Sequence, residues 1–383
     1  MEAGCASDGP RPVDNEAMPT VRLIVSADAL DAPDSQANLD RAAAILRAGG
    51  TVALPTETVY GLGANALDPA AIARIFEAKQ RPAWDPLIVH IADQAMLRQI
   101  TASVPAAAEA LMAAFWPGPL TLLLPRSPLV PNAVTAGREL VGVRMPAHPV
   151  AREVIRRAGV PVAAPSANRF GHTSPTTAEH VLDDLDGRID AVLDAGPTAW
   201  GVESTVLDPN QSPMILYRPG AITLGQIDAV AGAVEAFAEK PELAKAPRAA
   251  LPSPGVGLRH YAPRARLVLF DPEGQQDPED QQDAIQELAV EQELAVVHDR
   301  IGLMQVDGGP GAGLLKSWQF AVAFPWGDWS RPEELAHRLF AGLRYLDAMG
   351  CTVILCPMPP AEGIGAAMRD RLRKAAWKDD SAG

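Results

Sequence analysis

The chain has 383 residues, more than one ordinary hydrophobic core accommodates, so two domains are expected. Its 33 Lys and Arg stand against 47 Asp and Glu, and the net charge of −14 argues against an extensive nucleic-acid or anionic-membrane surface. The three cysteines form no even disulfide set and show no zinc spacing with histidines, which indicates a reducing, cytoplasmic location and no structural metal.

The N-terminal residues 1–20 are polar, acidic and rich in Pro and Gly, without a basic start followed by an apolar run. This composition predicts a disordered tail and neither a signal peptide nor an anchor. Met1 and Met18 both stay open as translation starts. No apolar run in the chain reaches the roughly 18 residues that a membrane span needs. A first strand is predicted at residues 21–25, and a helix at 39–48 that ends at two glycines.

The segment 51–91 is the most informative stretch of the chain. A short apolar strand, residues 51–54, is stopped by Pro55 and followed by hydroxyl and carboxylate side chains that include Thr58. Ligands of open α/β sheets bind at such strand ends. Asp68 and Pro69 are then the expected N-cap and first residue of a helix.

That helix is predicted to end in two cations, Lys79 and Arg81, just before Pro82. Cations near a helix C-terminus often do no more than complement the helix dipole, by about 0.3–1 kcal/mol each. Lys79, however, continues the apolar stripe, and an apolar strand with His90 follows at once. This arrangement favours a pocket for an anionic ligand.

Further polar groups follow later strands. Residues 140–143 are a predicted strand with Arg144 at its exit, although a surface ion pair is an equally good interpretation of that arginine. The strand at 160–164 is followed by Ser166 and Asn168, which in turns most often satisfy backbone groups.

A phosphate-binding helix start is predicted next. Ser174 and Pro175 have the residue types of an N-cap and a first helical residue, and the free N–H groups of a helix start suit a phosphate. Ser204 lies in a strand-like run at 201–207, and Arg218 follows another strand. Lys79, Arg81, Arg144 and Arg218 together supply enough positive charge to offset a triphosphate.

The remaining sequence predicts a linker at 234–265 and a C-terminal α/β domain at 266–380. Strands are predicted at 267–270, 294–297, 320–324 and 352–356, alternating with helices, which indicates a parallel sheet. Ser330 to Glu333 has the residue pattern of a capping box. The glycine-rich segment 308–317 lacks the Gly-Lys-Ser adjacency of a phosphate-binding P-loop, so a plain loop is expected.

Several of these motifs resemble those of one known family. They are PTETVYGLG, KQR, PLIVHI, WPGPLT, VRMP, APSAN, SPTTAEHV and GVEST, spread in order over residues 26–225. Together they resemble the YrdC-like L-threonylcarbamoyladenylate synthases, and SPGVGLRHYAP, with the region after it, resembles the linker and C-terminal domain of the two-domain form. The resemblance implies an α/β fold, in which residues 21–233 form a YrdC-like twisted open mixed sheet with flanking helices and the smaller C-terminal domain is Rossmann-like.

The activity that this resemblance implies is the ATP-dependent condensation of L-threonine with bicarbonate or CO2 to L-threonylcarbamoyladenylate, with release of pyrophosphate. Mg²⁺ would enter with ATP. The product would pass to a downstream threonylcarbamoyl-transferase complex that makes threonylcarbamoyladenosine in tRNA.

The resemblance also implies roles for particular residues. Lys79 and Arg81 would be catalytic. ATP would contact Lys79, Arg81, Asp85, Leu140, Ser166, Asn168, Ser174, Arg218 and Tyr261, and L-threonine would contact Thr58, His90, Arg144, Ala164 and Ser204.

The sequence departs from the family pattern at one of these positions. Members of the family commonly carry Asn where this chain has Asp85. A carboxylate there repels phosphate unless Mg²⁺ lies between them or the side chain turns away.

Two other functions stay open at this point. A YrdC-like fold could serve as a double-stranded RNA-binding module, although the acidic net charge disfavours it. A carbamoyltransferase of the hydrogenase-maturation type shares the fold, although the chain lacks zinc-ligand clusters and room for the extra domains.

Overall fold

The computed structural model describes residues 19–237, 251–253, 255–256, 260–271, 300–307 and 322–377. The predicted tail lies outside these ranges up to residue 18, whereas Thr20 is hydrogen-bonded to Asp186 and to the Ile189 carbonyl. The strand predicted at 294–297 and the loop predicted at 308–317 also lie outside the described residues. In the described part of the chain, no helix has both the length and the apolar character that crossing a membrane requires.

The first domain is built on one large mixed sheet with helices around it. Its strands are β1 (Val21–Ile24), β2 (Val52–Leu54), β3 (Gly61–Asn65), β4 (Ile88–His90), β5 (Leu120–Pro125), β6 (Leu140–Arg144), β7 (Val162–Ala163), β8 (Ala191–Asp194), β9 (Thr205–Asp208), β10 (Met214–Arg218) and β11 (Val234–Ala236). Its helices are α1 (Pro33–Arg47), α2 (Pro69–Lys79), α3 (Gln94–Ile100), α4 (Ala106–Phe115), α5 (Asn132–Thr135), α6 (Pro149–Ala158), α7 (Ala178–Leu185) and α8 (Leu224–Ala231).

The strand order confirms the predicted mixed sheet. It runs β1-β8-β2-β3-β7-β4-β6-β5-β9-β10-β11, with parallel pairs such as β4 with β6 and antiparallel pairs such as β5 with β6. The strand β11 pairs in parallel with β10, so the segment predicted as a linker begins with a strand of the first sheet.

Helix α2 has the predicted boundaries for the predicted reasons. The Asp68 carboxylate accepts a hydrogen bond from the Ala70 amide, and Pro69 occupies the first turn. The helix buries Ile72 and Ile75 and ends at Gln80, whose φ of 54° is left-handed and turns the chain out of the helix. The position of this helix end determines where the side chains of Lys79 and Arg81 lie.

Two predicted helix starts are wrong. Helix α1 begins at Pro33 rather than at residue 39, because its first turn is polar and the apolar pattern appears only later. Ser174 does not cap a helix: the carbonyls of Pro175 and Thr176 accept hydrogen bonds from the Tyr60 and Thr198 amides instead. Helix α7 starts at Ala178, after Thr177, whose hydroxyl accepts from the His180 amide.

The C-terminal domain contains a second, smaller sheet. Its strands are β12 (Arg266–Phe270), β13 (Ile301–Val306), β14 (Val322–Gly327) and β15 (Val353–Pro357), and its described helices are α9 (Pro332–Ala348) and α10 (Gly365–Ala376). The strand order is β12-β15-β13-β14 and every pair is parallel, as predicted. The predicted capping box is wrong, because the N-cap of α9 is Arg331 and its side chain makes no capping hydrogen bond.

The two domains share part of a hydrophobic core. Val59 and Val202 of the first domain and Tyr261 of the linker pack into the cluster that also holds Trp326 and Phe340 of the C-terminal domain. Because Val59 and Val202 belong to the same loops as the predicted site residues, the second domain packs directly against the back of the site.

Candidate active site

One open cavity is lined by residues at strand ends and in the linker, and its empty space, open solvent included, is about 580 Å³. Among the residues with predicted roles, those that line it are Thr58, Arg81, His90, Arg144, Ala164, Ser166, Ser204, Arg218 and Tyr261. The predicted residues that lie outside the lining are Lys79, Asp85, Leu140, Asn168 and Ser174. The cavity therefore combines both of the predicted ligand sets.

Arg144 forms one wall of the cavity and is held on three sides. Its guanidinium donates to the Thr58 hydroxyl at 2.9 Å and to the Gly118 carbonyl at 3.2 Å, and it lies 2.6 Å from the Glu57 carboxylate. Burial raises the pKa of Glu57, but the charge of Arg144 outweighs it and leaves that pKa below its usual value. Glu57 is thus an ionised partner that fixes Arg144.

His90 lies beside Arg144 because β4 and β6 are parallel neighbours in which these two residues are paired in register. Burial, together with the charge of Arg144, lowers the pKa of His90 to about 3. The imidazole is therefore neutral at neutral pH, and its buried Nδ1 makes no protein hydrogen bond. It is available to a ligand as a donor or an acceptor.

Arg218 and Ser204 also line the cavity and contact each other. The Arg218 guanidinium donates to the carbonyl and to the hydroxyl of Ser204, both at 3.0 Å. The Ser204 hydroxyl is also 2.8 Å from that of Thr121. Arg218 is 5% exposed, and burial lowers its pKa, but an arginine remains charged in proteins.

Lys79 and Arg81, the predicted catalytic pair, face different surroundings. The Lys79 ammonium is buried and donates to the carbonyls of Ser166 and Asn168, so it holds the turn that carries these residues. Burial, and then the charge of Arg81, lower the pKa of Lys79 well below its usual value. Arg81 lines the cavity and donates to the carbonyls of Asp85 and Pro86.

Asp85 is fully buried behind Arg81. Its carboxylate lies 2.9 Å from the Arg81 guanidinium and 3.6 Å from Nε2 of His260 in the linker. Burial raises the pKa of Asp85, but the Arg81 charge outweighs it and the pKa is lowered. Asp85 does not line the cavity, and the charge of Arg81 compensates its carboxylate, which answers the repulsion problem raised by the sequence.

Asn168, Ser174 and Leu140 support the site from outside. The Asn168 amide donates to the carbonyls of Arg169 and His172, and the Ser174 hydroxyl donates to Glu203 at 2.5 Å. Leu140 lies at the far end of β6 from Arg144 and packs beside Ile88.

The lining residues to which the sequence reasoning gave no role include Glu203 and Gly255. Glu203 lies within the GVEST motif, so its neighbour Ser204 gave the signal that could have found it. A Cβ on Gly255, whose φ is +80°, would stand 2.8 Å from the Arg218 side chain and 3.1 Å from the Tyr261 hydroxyl. This glycine therefore permits the close approach of the linker to Arg218.

Comparison with known proteins supplies the family. The model of the Sua5, YciO and YrdC family, described as "Telomere recombination", matches residues 44–220, and the model described as "Threonylcarbamoyl-AMP synthase, C-terminal domain" matches residues 222–377. The threonylcarbamoyl-AMP synthase of Bacillus subtilis is 44% identical over 94% of this chain and 98% of its own length. That of Pyrococcus abyssi is 42% identical over 88% of this chain and 93% of its own length.

The fold of this chain is also similar to that of a solved structure from the same group of proteins. The crystal structure of P. abyssi Sua5 complexed with L-threonine superposes with a TM-score of 0.81 at 40% identity, covering 93% of this chain and 98% of that one. The resemblance seen in the motifs thus extends over both domains. The chain belongs to the threonylcarbamoyl-AMP synthase family, in the form that carries a C-terminal domain.

Proposed function

We propose that the chain condenses L-threonine, bicarbonate or CO2, and ATP into L-threonylcarbamoyladenylate and pyrophosphate. The observation that carries this proposal is the gathering of Arg81, Arg144 and Arg218 around one cavity with the neutral imidazole of His90. Guanidinium groups bind carboxylates and phosphates with directed hydrogen bonds. Three of them in one cavity suit a pair of anionic ligands, an amino acid and a nucleotide.

Threonine belongs on the Arg144 side. We assign its carboxylate to Arg144, with Thr58 and Ser204 as hydroxyl partners, His90 as a neutral hydrogen-bonding group and Ala164 as a wall. The crystallised P. abyssi relative was solved with L-threonine, which supports an amino-acid subsite in this family.

ATP belongs on the side of Arg81, Ser166, Arg218 and Tyr261. Lys79 and Asn168 act there by holding the turn at 166–168. Ser174 acts by holding Glu203, and Asp85 by holding Arg81. The Leu140 backbone, although predicted to contact ATP, stands outside the lining, so its assignment rests on the resemblance alone.

The reaction has two bond-forming steps. The threonine nitrogen bonds to the carbon of CO2 and loses a proton, which gives a carbamate. A carbamate oxygen then bonds to the α-phosphorus of ATP, while the bond from that phosphorus to its bridging oxygen breaks and pyrophosphate leaves with the electron pair. Negative charge grows on the leaving group, so fixed cations in a dry cavity stabilise the transition state. Positioning dominates over acid–base work.

Mg²⁺ is proposed to enter as the ATP complex. Within the described ranges no group of three or more His, Cys, Asp or Glu side chains is placed to hold a metal ion. Phosphate oxygens and water are ordinary ligands of this ion, so the nucleotide itself supplies its coordination.

The product is proposed to serve a downstream threonylcarbamoyl-transferase complex that modifies tRNA, and the reaction is proposed to take place in the cytoplasm. An adenylate is a mixed anhydride whose acyl group passes to a nucleophile, so a transferase is the class of reaction that must consume it. The described cysteines, Cys351 and Cys356, are free and buried, which agrees with a reducing compartment.

The proposal is tested by measuring pyrophosphate release from ATP with threonine and bicarbonate supplied together and separately. We expect release only when both are present. Release that needs neither would describe an ATP pyrophosphohydrolase. Carbamoyl phosphate in place of bicarbonate and threonine should give no reaction, whereas adenylate formation from it would favour a carbamoyltransferase.

A further inference from the structure

Helix α10 of the C-terminal domain carries an arginine into the back of the active site. Arg371 is 1% exposed, and its Nε lies 2.7 Å from a carboxylate oxygen of Glu203, which lines the cavity. Another nitrogen of the same guanidinium donates to the Glu203 carbonyl at 3.4 Å. Its remaining partners are Asp370, at 2.6 Å, and the ring of Tyr261, whose centroid is 5.3 Å away.

The Glu203 carboxylate is surrounded by a hydroxyl and by two positively charged arginines. Its carboxylate accepts a hydrogen bond from Ser174, and its chain neighbour Ser204 is the acceptor for Arg218. Burial raises the pKa of Glu203, but the charges of Arg371 and then of Arg218 outweigh it and lower that pKa. Glu203 is therefore an ionised carboxylate in electrostatic contact with both arginines.

Removing Arg371 would change which arginine pairs with the Glu203 carboxylate. A buried carboxylate that loses its ion-pair partner is left uncompensated, which is strongly unfavourable, and it moves toward any other cation in reach. For Glu203 that cation is Arg218, to which the nucleotide side of the cavity has been assigned. A Glu203–Arg218 pair would take positive charge away from the ligand.

We propose that Arg371 is a positioning residue for the reaction: it holds the Glu203 carboxylate in an ion pair, so that Arg218 stays directed into the cavity and toward the phosphates of ATP. The C-terminal domain thereby completes the active site of the first domain. This inference rests on the proposed function, through the assignment of Arg218 to the nucleotide.

Contacts next to Arg371 hold the linker to the same helix. The Lys374 ammonium, one turn further along α10, donates to the Gly255 carbonyl at 2.6 Å, and the His260 amide donates to the Lys374 carbonyl at 3.4 Å. Tyr261 has a left-handed φ of 65° and packs between Arg371 and Phe340. Helix α10 therefore positions Glu203 and the lining residues of the linker together.

The test compares ATP binding by full-length variants, using calorimetric titration with magnesium ATP. Arg371→Met should weaken binding at least about 10-fold, because the Glu203 carboxylate, left without its partner, draws Arg218 away from the phosphates. The double variant Arg371→Met with Glu203→Gln should recover most of that loss, because no carboxylate is left to capture Arg218. Arg373→Met, an exposed arginine on the same helix, should leave binding unchanged.

The rescue separates positioning from folding. If Arg371 only stabilised the domain interface, the double variant would bind ATP as weakly as the single one, and that result would overturn the proposal. ATP binding by Arg371→Met within about twofold of the unaltered chain would overturn it too. Should Arg371→Met fail to fold, Arg371→Lys is used instead, because it keeps a positive charge beside Glu203. Its ATP affinity should lie between that of the unaltered chain and that of the double variant. An affinity below both would overturn the proposal. Pyrophosphate release by the unaltered protein is scored separately, so a failure of the proposed function is seen independently of these affinities.

Discussion

At the scale of single residues, each buried carboxylate at the site is paired with an arginine. Glu57 pairs with Arg144 and Asp85 with Arg81, both of which line the cavity, whereas Glu203 pairs with Arg371 behind it. Each carboxylate is buried and compensated, so the cost of desolvating each guanidinium is partly offset before any ligand arrives. The cations are thereby preorganised for anionic ligands.

The residue-level assignment predicts that two arginines have opposite substrate effects. Arg144→Met should raise the threonine KM by about 10- to 100-fold, as expected for loss of a charged hydrogen bond of about 1.5–3 kcal/mol, and change the ATP KM much less. Arg218→Met should do the reverse. Steady-state kinetics with each substrate varied in turn measures both constants.

Arg144→Lys is the matched control, because it keeps a positive charge beside the buried Glu57 and loses only the forked geometry of the guanidinium. It should fold like the unaltered chain. A selective loss of ATP affinity in the Arg144 variants would show that the two ligands have been assigned to the wrong sides.

The sequence was sufficient to identify these cations as site residues, but it did not show which of their side chains face the cavity. Lys79 and Arg81 are two positions apart at one helix end, yet Arg81 faces the cavity and Lys79 faces the carbonyls of Ser166 and Asn168. That difference depends on a turn far away in the sequence. Asp85 was likewise unassignable, because its partner His260 comes from the linker.

At the scale of elements, residue types predicted a helix start correctly where the capping contact is made within the same turn. Asp68 and Pro69 start α2 as predicted, since the capping hydrogen bond is made within the same turn. Ser174 and Pro175 show the same residue types, but the carbonyls of Pro175 and Thr176 accept hydrogen bonds from the Tyr60 and Thr198 amides, and these tertiary contacts override the local signal.

An ion-pair cluster around Asp184 joins helix α7 to helix α9. The Asp184 carboxylate on α7 lies 2.8 Å from Arg344 on α9 and 3.0 Å from His172, and Arg344 also donates to the Thr173 carbonyl. Burial raises the pKa of Asp184, but His172 and Arg344 outweigh it and lower that pKa to about 2. This cluster links the two domains.

Because the folded-state pKa of Asp184 lies below its ordinary value of 3.8, the cluster stabilises the protein above about pH 4 and loses that contribution as the pH falls toward 2. Asp184→Asn should therefore cost about 2 kcal/mol of unfolding free energy at pH 7 and clearly less at pH 3. Urea unfolding at both pH values measures the difference, with the exposed Asp183→Asn as control. An equal cost at both pH values would contradict the ionic origin.

At the scale of the whole molecule, the two domains share one hydrophobic cluster beside the cavity. Chain length predicted two domains, and alternating strands and helices predicted the parallel second sheet, because that pattern depends on hydrophobic periodicity. The shared core of Val59, Val202, Tyr261 and Phe340 could not be predicted, because it joins residues from both domains and the linker. It places the linker and α10 against the cavity.

The most direct test of the account identifies the product made by the full chain from ATP, L-threonine and ¹³C-bicarbonate, by mass spectrometry of the quenched reaction. We predict an adenylate that contains threonine and one ¹³C atom, formed together with one pyrophosphate per molecule. A threonyl-adenylate without the labelled carbon, or AMP and pyrophosphate with no adenylate at any time point, would contradict it.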